Sequence, residues 1–145
     1  MTEQESIQMA HHAVSLINAH DIDGYVQLFD ESYVGESEMV QGPILGPAGV
    51  RQQISMLLGA FPDVHVEIVQ VISNGDSLAV RGRVTGTHTG NFAGIPPTNK
   101  AVSWGSCNVV EISNGKVIRS RMYADYASVF QQLGALSIAR AAAAG

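Results

Sequence analysis

The stretch VHVEIVQVISNGDSLAVRGRVTGTH, from Val64 to His88, decides the fold class. Its first nine residues are rich in β-branched side chains and alternate in polarity, which predicts a strand from Val64 to Ile72. The tetrapeptide SNGD at 73–76 predicts a tight turn, and a second strand is expected over 78–89. Two strands joined by such a turn pair antiparallel, so the stretch predicts a β-hairpin.

Two further strands are expected after this hairpin. A loop rich in Gly and Pro covers residues 89–100, and a third strand is predicted over 102–112. The turn SNG at 113–115 leads to a fourth strand from Val117 to about Ala124. Glycine inside a strand is typical of a bulge or a sharp bend. Three glycines lie inside the predicted strands: Gly82, Gly86 and Gly105. We therefore expect a strongly curved sheet with a cavity on its concave side.

Helical spacing of apolar residues precedes the strands. A capping box at residues 2–5 predicts a first helix that runs to about Ala19. Asp21 is expected to cap a short second helix, whose apolar residues include Phe29. A third helix is predicted between Pro47 and Pro62, because proline is favoured in the first turn of a helix and ends one that reaches it.

A last helix is expected over about 127–135, so helices come first and an antiparallel meander follows. This order is typical of the α+β class. The length of 145 residues and the hydrophobic content of 46% predict a single domain over 1–145. The residues from about 137 to 145, which end in AAAAG, are expected to form a frayed tail.

The charge balance restricts the partners that this protein can bind. Eight Lys and Arg against thirteen Asp and Glu give a net charge of -5, which argues against nucleic acid or an anionic membrane as a partner. Charged residues are only 14% of the chain. We therefore expect a largely neutral surface, which suits an oligomer interface or a pocket for an apolar ligand.

No stretch is apolar over the length of a membrane span, and the N-terminus MTEQESIQ does not resemble a signal peptide. A cytoplasmic location is therefore expected. The single cysteine, Cys107, excludes an internal disulfide and a multi-cysteine zinc site. Asp63, His65 and Glu67 alternate like loose metal ligands, but a solvated edge strand explains them better. The sequence contains no phosphate-binding glycine loop and no dinucleotide fingerprint.

One face of the predicted third strand is apolar at its ends and polar in its middle. Its members are Val102, Trp104, Ser106, Asn108, Val110 and Ile112. A solvent-exposed face is one interpretation. Burial is favoured because Trp, Val and Ile share this face, and buried Ser106 and Asn108 would then need hydrogen-bond partners, which a ligand can supply.

His88 ends the predicted second strand on the same face as Val84. It either bonds to the backbone at a strand end or lies at the cavity mouth, where an imidazole can orient or protonate a substrate oxygen. The opposite face of the sheet is expected to carry four arginines: Arg81, Arg83, Arg119 and Arg121. That outer face is either a solvated surface or a homodimer interface, and interfaces are enriched in Arg and Tyr.

The loop HTGNFAGIPPTNK, from His88 to Lys100, resembles the H-x-G-x-F-x-G-x-x-P-T-G loop of the SnoaL-like polyketide cyclases. The segment NGKVIRSRMYADYASVFQQLGAL also resembles that family's last strand and Gln-Leu-Gly helix, and AFPDV upstream fits it as well. The resemblance spans nearly the whole chain. One departure is Asn99, where the family usually has glycine.

The resemblance implies a cone-shaped α+β fold of the nuclear-transport-factor-like class, in which a curved antiparallel sheet wraps around N-terminal helices. It also implies an oligomer, a small apolar or aromatic natural-product substrate, and an intramolecular aldol cyclisation without metal or organic cofactor. A family carboxylate acts as general acid/base three residues before an Asp-Tyr pair. The pair here is Asp125-Tyr126, and the matching residue is Met122. Ser106 and Asn108 stand where the family has Gln and His.

Met, Ser and Asn cannot remove a proton from carbon, so other titratable groups become candidates. His88 and Asp125 are candidates, although Asp125 is also placed to cap the last helix. Glu36 or Glu38, in the loop expected after Tyr33, are further candidates or simply exposed side chains. The predicted catalytic residues are thus His88, Asn108 and Asp125. The predicted substrate-binding residues are Tyr33, Trp104, Ser106 and Met122.

Three functions remain open on these grounds. The first is a cyclase that closes a ring on a polyketide-type substrate, with part of its rate coming from positioning. The second keeps the pocket but changes the reaction, to a cofactor-independent hydroxylation or an epoxide-opening cyclisation. The third is a non-catalytic protein that binds an apolar ligand.

Overall fold

The computed structural model describes residues 1–136. The elements follow in the order α1 (Glu3–Asn18), α2 (Ile22–Val26), β1 (Phe29–Ser37), β2 (Ile44–Leu45), α3 (Gly46–Ala60), β3 (His65–Ser73), β4 (Ser77–Thr87), β5 (Ala101–Ser113), β6 (Lys116–Ala124) and α4 (Tyr126–Gln132). The predicted α+β class is confirmed, with helices before a curved, open sheet. The predicted frayed tail at 137–145 lies outside the described residues.

The sheet has the strand order β2-β1-β6-β5-β4-β3. The four predicted strands correspond to β3 to β6 and pair antiparallel as a meander. The placement of Phe29 in the second helix and of Glu36 in a loop was wrong, because both lie in β1. β1 runs parallel to β6, so the sheet is not wholly antiparallel. The segment FDESYVGES lacks the regular alternation that marks a half-buried strand, and its pairing with β6 comes from a partner far along the chain.

The expectation that strand glycines mark bulges is confirmed at Gly82, because the β3–β4 register shifts between Ile68, which is opposite Gly82, and Gln70, which is opposite Arg81. No register shift lies at Gly86 or Gly105, since β4 pairs with β5 without a break from Ser77 to Thr87. The other irregularities lie in β1 between Phe29 and Val34 and in β5 at Glu111–Ile112. Gly86 serves packing, because a Cβ there would lie 2.9 Å from Cβ of the fully buried Phe61.

Helices cover the concave side of the sheet. α1 packs on β3, α3 on β1 and α4 on β5. The predicted caps are present: the side chain of Thr2 accepts a hydrogen bond from the Glu5 amide, and that of Asp21 accepts one from the Gly24 amide. Each such cap contributes about 1 kcal/mol to helix stability.

The core between helices and sheet consists of three apolar clusters. The largest surrounds Phe61 and contains Val84, Val102, Trp104 and Val129. A second contains Val26, Tyr33, Val50 and Val117, and a third contains Ala10, Leu78 and Ile112. Phe61 and Val129 are completely buried. The first cluster lies toward one end of β5 and the other two toward its opposite end, which leaves the middle of the inner sheet face between them.

The loop at 88–100 is tied to the end of α3. The backbone amides of Thr89 and Gly90 both donate to the carbonyl of Ala60, at 3.2 and 3.1 Å. A side chain at Gly90 would collide with the Gly59 carbonyl. Asn99 has a φ of 60°, in the left-handed region that glycine adopts without cost and that Asn tolerates better than most residues. Asn can therefore stand in for the glycine of the resembling loop.

Within residues 1–136, no helix combines the length and the hydropathy that a transmembrane helix requires.

Candidate functional site

Two cross-strand rows of side chains lie on the inner face of the sheet, between the apolar clusters. In one row, Gly82, Ser106 and Ala124 are opposite one another on β4, β5 and β6. In the next row, Asn108 lies between Val80 and Met122, and Met122 is opposite Ser37 of β1. Neighbours in such a row have Cβ atoms about 4.5–5.5 Å apart when the strands are antiparallel.

These rows combine small side chains with polar groups. The first row is made of glycine, serine and alanine, so it fills little of the space below the helices. The second row carries an amide, a thioether and a hydroxyl. The predicted burial of the β5 face is confirmed, since Val102, Trp104 and Ile112 are buried and the side chains between them are half-buried.

Asn108 holds the most informative polar atom of this site. Its side-chain Oδ1 is buried and accepts no hydrogen bond within the described part of the chain. A buried acceptor without a partner costs about 1–3 kcal/mol of folding free energy. Such a group at the centre of a small-residue region is explained if a ligand donates the missing hydrogen bond.

Two hydroxyl pairs flank this acceptor. Tyr33 and Ser120 are hydrogen-bonded through their hydroxyls at 2.5 Å, in a buried position. Ser37 and Tyr126 are similarly connected at 3.2 Å. Burial raises the pKa of the Tyr33 hydroxyl, while its bond to Ser120 acts in the opposite direction. Tyr33 is therefore a neutral hydroxyl near pH 7, already engaged with Ser120, rather than a free group in a loop.

Sequence reasoning missed Ser37, Ser120 and Tyr126. Ser37 and Ser120 belong to the parallel pair β1–β6, and no local pattern indicates that pairing. Tyr126 was recognisable, since it is the second residue of the Asp-Tyr pair in the resembling segment.

An open cavity of about 370 Å³ lies where β1 and β6 end. Its lining is formed by Glu36, Ser37, Glu38, Val40, Gly42, Pro43, Arg121, Met122 and Tyr123. Ser37 and Met122 belong both to this lining and to the Asn108 row, whereas Arg121 and Tyr123 lie on the outer face, so the cavity lies at the strand ends between the inner and outer faces of the sheet. Its volume lies in the range of small-molecule pockets, about 300–1,000 Å³.

The cavity contains one ion pair and one further carboxylate. Arg121 Nε lies 3.3 Å from Glu36 Oε2, and these two residues are opposite each other in the β1–β6 register. Glu38 follows the end of β1 and forms no ion pair among residues 1–136. Both glutamates are exposed, which agrees with one of the two expectations for them.

His88 lies away from this region. Asn108 is directly opposite Val80, and His88 comes eight positions after Val80. At 3.3 Å per residue, about 26 Å of extended chain separates His88 from the Asn108 row. Nδ1 of the imidazole accepts a hydrogen bond from the Thr98 amide at 3.2 Å and lies 2.9 Å from the Thr98 hydroxyl. The ring is completely buried beside Phe61. The expectation that His88 lies at a cavity mouth was wrong, because the loop at 88–100 covers it.

The position of the His88 proton follows from these bonds. Because Nδ1 accepts from an amide, the neutral ring carries its hydrogen on Nε2. That nitrogen is buried and has no hydrogen-bond partner among the described residues. The bonds to Thr98 hold the conformation of the loop, which is the structural role that was the alternative prediction for His88.

Asp125 and Trp104 have defined structural roles. Asp125 is exposed, and its Oδ1 accepts a hydrogen bond from the Ser128 amide at 3.0 Å, as expected for the N-cap of α4. Trp104 packs in the Phe61 cluster, with a ring-centroid distance of 5.2 Å to Phe61. It does not line the open cavity, but it shares the inner face of β5 with Ser106 and Asn108.

The outer face of the sheet carries the predicted arginines, all exposed. Arg119 pairs with Glu111 and Arg121 with Glu36, whereas Arg83 Nε bonds to the Ser103 hydroxyl. Two large apolar side chains on this face are also exposed: Val109 and Tyr123.

The Asp63–His65–Glu67 alternation has no metal-site geometry. Asp63 accepts hydrogen bonds from the amide and the hydroxyl of Thr87, each at 2.7 Å. His65 and Glu67 are exposed on β3, which is an edge strand. No set of three potential metal ligands converges in the region from Met1 to Leu136.

Comparison with known proteins connects this architecture to one family. The family described as SnoaL-like polyketide cyclase matches residues 7–133. Aklanonic acid methyl ester cyclase DnrD of Streptomyces peucetius is 25% identical over 130 residues, which cover 88% of this chain and 90% of that protein. Nogalonic acid methyl ester cyclase of Streptomyces nogalater is 24% identical over 115 residues, which cover 79% and 84%.

Solved structures agree with this comparison. AclR of Streptomyces galilaeus, described as a candidate hydroxylase, superposes with a TM-score of 0.84 at 26% identity and covers 94% of this chain and 100% of its own. TsrD of Streptomyces laurentii superposes with a TM-score of 0.83 at 21% identity and covers 94% and 99%, which supports the fold.

Proposed function

The chain belongs to the SnoaL-like polyketide cyclase family, and we propose that it closes a ring on an oxygenated, apolar polyketide-type substrate by an intramolecular aldol reaction. The proposal includes catalysis without metal or organic cofactor, since the sequence contains no binding motif for either. The unpartnered oxygen of Asn108 carries the proposal. It is an acceptor at the centre of a buried sheet face, where a hydroxyl or enol of the substrate would donate to it.

The proposed binding mode follows from the two side-chain rows. The flat substrate lies over Gly82, Ser106 and Ala124, where small side chains leave room. Asn108 accepts a hydrogen bond from it, and the nearby hydroxyls fix its orientation. Holding the two reacting carbons together supplies a large part of the rate, since positioning alone can be worth about 7–11 kcal/mol.

Met122 occupies the position where the family resemblance places the general acid/base carboxylate. A thioether cannot transfer a proton, so the base of this chain must come from another residue. Asp125 and His88 remain proposals for that role, but the first is engaged as a helix cap and the second as a loop anchor.

The test uses the two compounds named for the relatives, aklanonic acid methyl ester and nogalonic acid methyl ester. Purified protein is incubated with each, and ring closure is followed by chromatography and mass spectrometry, since cyclisation changes retention but not mass. The control is the Asn108→Ala variant, for which we expect a loss of about 1–3 kcal/mol in transition-state stabilisation, or roughly 5- to 150-fold in kcat/KM. Absence of cyclisation by the wild type contradicts the proposal.

A second candidate is cofactor-independent hydroxylation, which the similarity to AclR favours at 26% identity over the full length of that chain. In such a reaction the electron-rich substrate itself activates oxygen and supplies the two electrons that reduce the second oxygen atom to water. A product that has gained one oxygen atom and lost two hydrogen atoms, formed with oxygen uptake, would identify it. Epoxide-opening cyclisation would require an epoxide substrate, and a binding protein would return its ligand unchanged.

A further inference from the structure

We propose that Glu38 is the general acid/base of this protein and replaces the carboxylate that the family places at position 122. The inference rests on the proposed cyclase function. It starts from the cavity at the ends of β1 and β6, where Glu38 and Met122 line the same space.

Glu38, just after the end of β1, lies close to Met122 of β6. Met122 is opposite Ser37 in the β1–β6 register, and Glu38 is the next residue of the chain. Ser37 accepts the turn bond from the Val40 amide through its carbonyl, so the chain turns back at this point and keeps residues 38–40 beside the cavity. β1 therefore brings a carboxylate to the cavity that β6 no longer provides.

The carboxylates of Glu36 and Asp125 are already engaged in other interactions. Glu36 lines the same cavity, but its Oε2 is engaged with Arg121 at 3.3 Å. The Asp125 carboxylate accepts the helix-capping bond from the Ser128 amide. Glu38 is thus the cavity carboxylate that forms no ion pair and no side-chain hydrogen bond among residues 1–136.

The chemistry balances with this single group. The Glu38 carboxylate removes a proton from the carbon next to a substrate carbonyl, and the C–H electrons form an enolate. The enolate carbon attacks the second carbonyl carbon, so a C–C bond forms while the π bond of that carbonyl breaks. The alkoxide oxygen then takes the proton back from Glu38, and no other reactant is consumed.

Hydroxyl groups at the cavity support this role. The Ser37 hydroxyl lies 3.2 Å from that of Tyr126, which begins α4. A hydroxyl next to the cavity can donate a hydrogen bond to an enolate oxygen, where charge develops in the transition state. Glu38 would then accept the proton, and the residue before it, Ser37, would donate a hydrogen bond to the enolate oxygen.

The experiment compares wild type, Glu38→Gln and Glu31→Gln on aklanonic acid methyl ester. Glu31 is an exposed glutamate of the same strand that does not line the cavity. General base catalysis typically contributes a factor of about 100–10,000, so we expect kcat of Glu38→Gln to fall by about 100-fold or more. Glu31→Gln should behave as wild type.

Proton removal is also measured directly. Substrate is incubated in D₂O, and deuterium incorporation at the carbon next to the carbonyl is followed by mass spectrometry. Glu38→Gln should bind the substrate with wild-type affinity but lose this incorporation. If the wild type is active and Glu38→Gln lies within about threefold of it in kcat and in deuterium incorporation, the role of Glu38 is overturned while the proposed function stands. A wild type that does not cyclise overturns the proposed function, and the inference with it.

Discussion

Asn108 and Met122 lie directly opposite each other on β5 and β6, and the amide Oδ1 of Asn108 is buried without a hydrogen-bond partner among residues 1–136. Met122 cannot supply that partner, because a thioether does not donate a hydrogen bond. This pair defines the centre of the proposed substrate site and sets the first prediction.

Replacement of Asn108 by leucine should separate stability from function. Leucine has a similar shape and removes the buried acceptor, so the free energy of unfolding should rise by about 1 kcal/mol. Ligand affinity should fall, because the substrate donor loses its acceptor. Denaturant unfolding and titration calorimetry measure the two effects. Cys107→Ala, on the opposite face of β5, is the matched control, and a destabilised Asn108→Leu variant with full affinity contradicts the assignment.

Trp104 should report ligand binding. It is the only tryptophan of the chain, it is buried, and it shares the inner face of β5 with Ser106 and Asn108. A planar aromatic ligand on this face should quench its fluorescence with the same affinity that calorimetry gives. In Asn108→Leu the titration should shift to higher ligand concentration. Unchanged fluorescence at saturating ligand would place the ligand elsewhere.

Met122→Asp should make stability depend on pH. Met122 is half-buried, and in the same cavity Arg121 pairs with Glu36 while Glu38 forms no ion pair among residues 1–136. Burial, with the like charge of Glu38, should therefore raise the folded-state pKa of the new carboxyl above its unfolded value of about 3.9. Below that value both states are protonated and the charge has no effect. As pH rises past it, the unfolded state ionises first and the variant loses stability.

The melting-temperature gap between wild type and Met122→Asp should therefore widen from about pH 4 and level off above the folded-state pKa. Met56→Asp is the control, since Met56 on α3 is 61% exposed and a carboxylate there stays solvated. A gap for Met122→Asp that is as flat with pH as the control gap would show that residue 122 is fully solvated.

Asp63→Asn should also lose stability relative to wild type as pH rises, but because it lacks a stabilising carboxylate. The bonds from the hydroxyl and then the amide of Thr87 lower the pKa of the Asp63 carboxyl, so its ionised form stabilises the fold. That contribution is fully present above the unfolded pKa of about 3.9 and is lost as pH falls through the lower folded value. The variant should melt a few degrees below wild type near pH 7, and the gap should shrink below about pH 4. Asp23→Asn controls for an exposed aspartate on α2. A melting-temperature difference between wild type and Asp63→Asn that stays the same below about pH 4 would show that ionisation of Asp63 does not stabilise the fold.

The outer sheet face should form a homodimer. It combines exposed Val109 and Tyr123 with four arginines, and of these four only Arg119 and Arg121 form ion pairs with the described residues. Glutamate at both Arg81 and Arg83 should place repelling charge in the interface and give a monomer in sedimentation velocity. Arg51→Glu on α3 should leave the dimer intact. Wild-type protein that sediments as a monomer at micromolar concentration would refute this interface.

Local sequence patterns are sufficient to predict the four-stranded meander and which side chains lie on each of its faces. Alternation over 64–72 and the turn residues at 73–76 and 113–115 are local signals, and strand period fixes which side chains of β5 face inward. The helix caps at Thr2, Asp21 and Asp125 were equally readable, because each bond spans three residues. The burial of Trp104 with Ser106 and Asn108 followed from the same alternation.

The surroundings of Met122 could not be predicted from local sequence patterns. The parallel pairing of β1 with β6 joins residues more than eighty positions apart, and its register places Ser37 opposite Met122. A local sequence pattern cannot encode such a register, because the burial of FDESYVGES arises only when β6 and the helices enclose it. Local sequence patterns also do not give the distance between His88 and Asn108. Alternation gives the face on which a side chain lies, but strand pairing gives its distance along that face, and the pairing of β4 with β5 puts Asn108 opposite Val80, eight positions before His88.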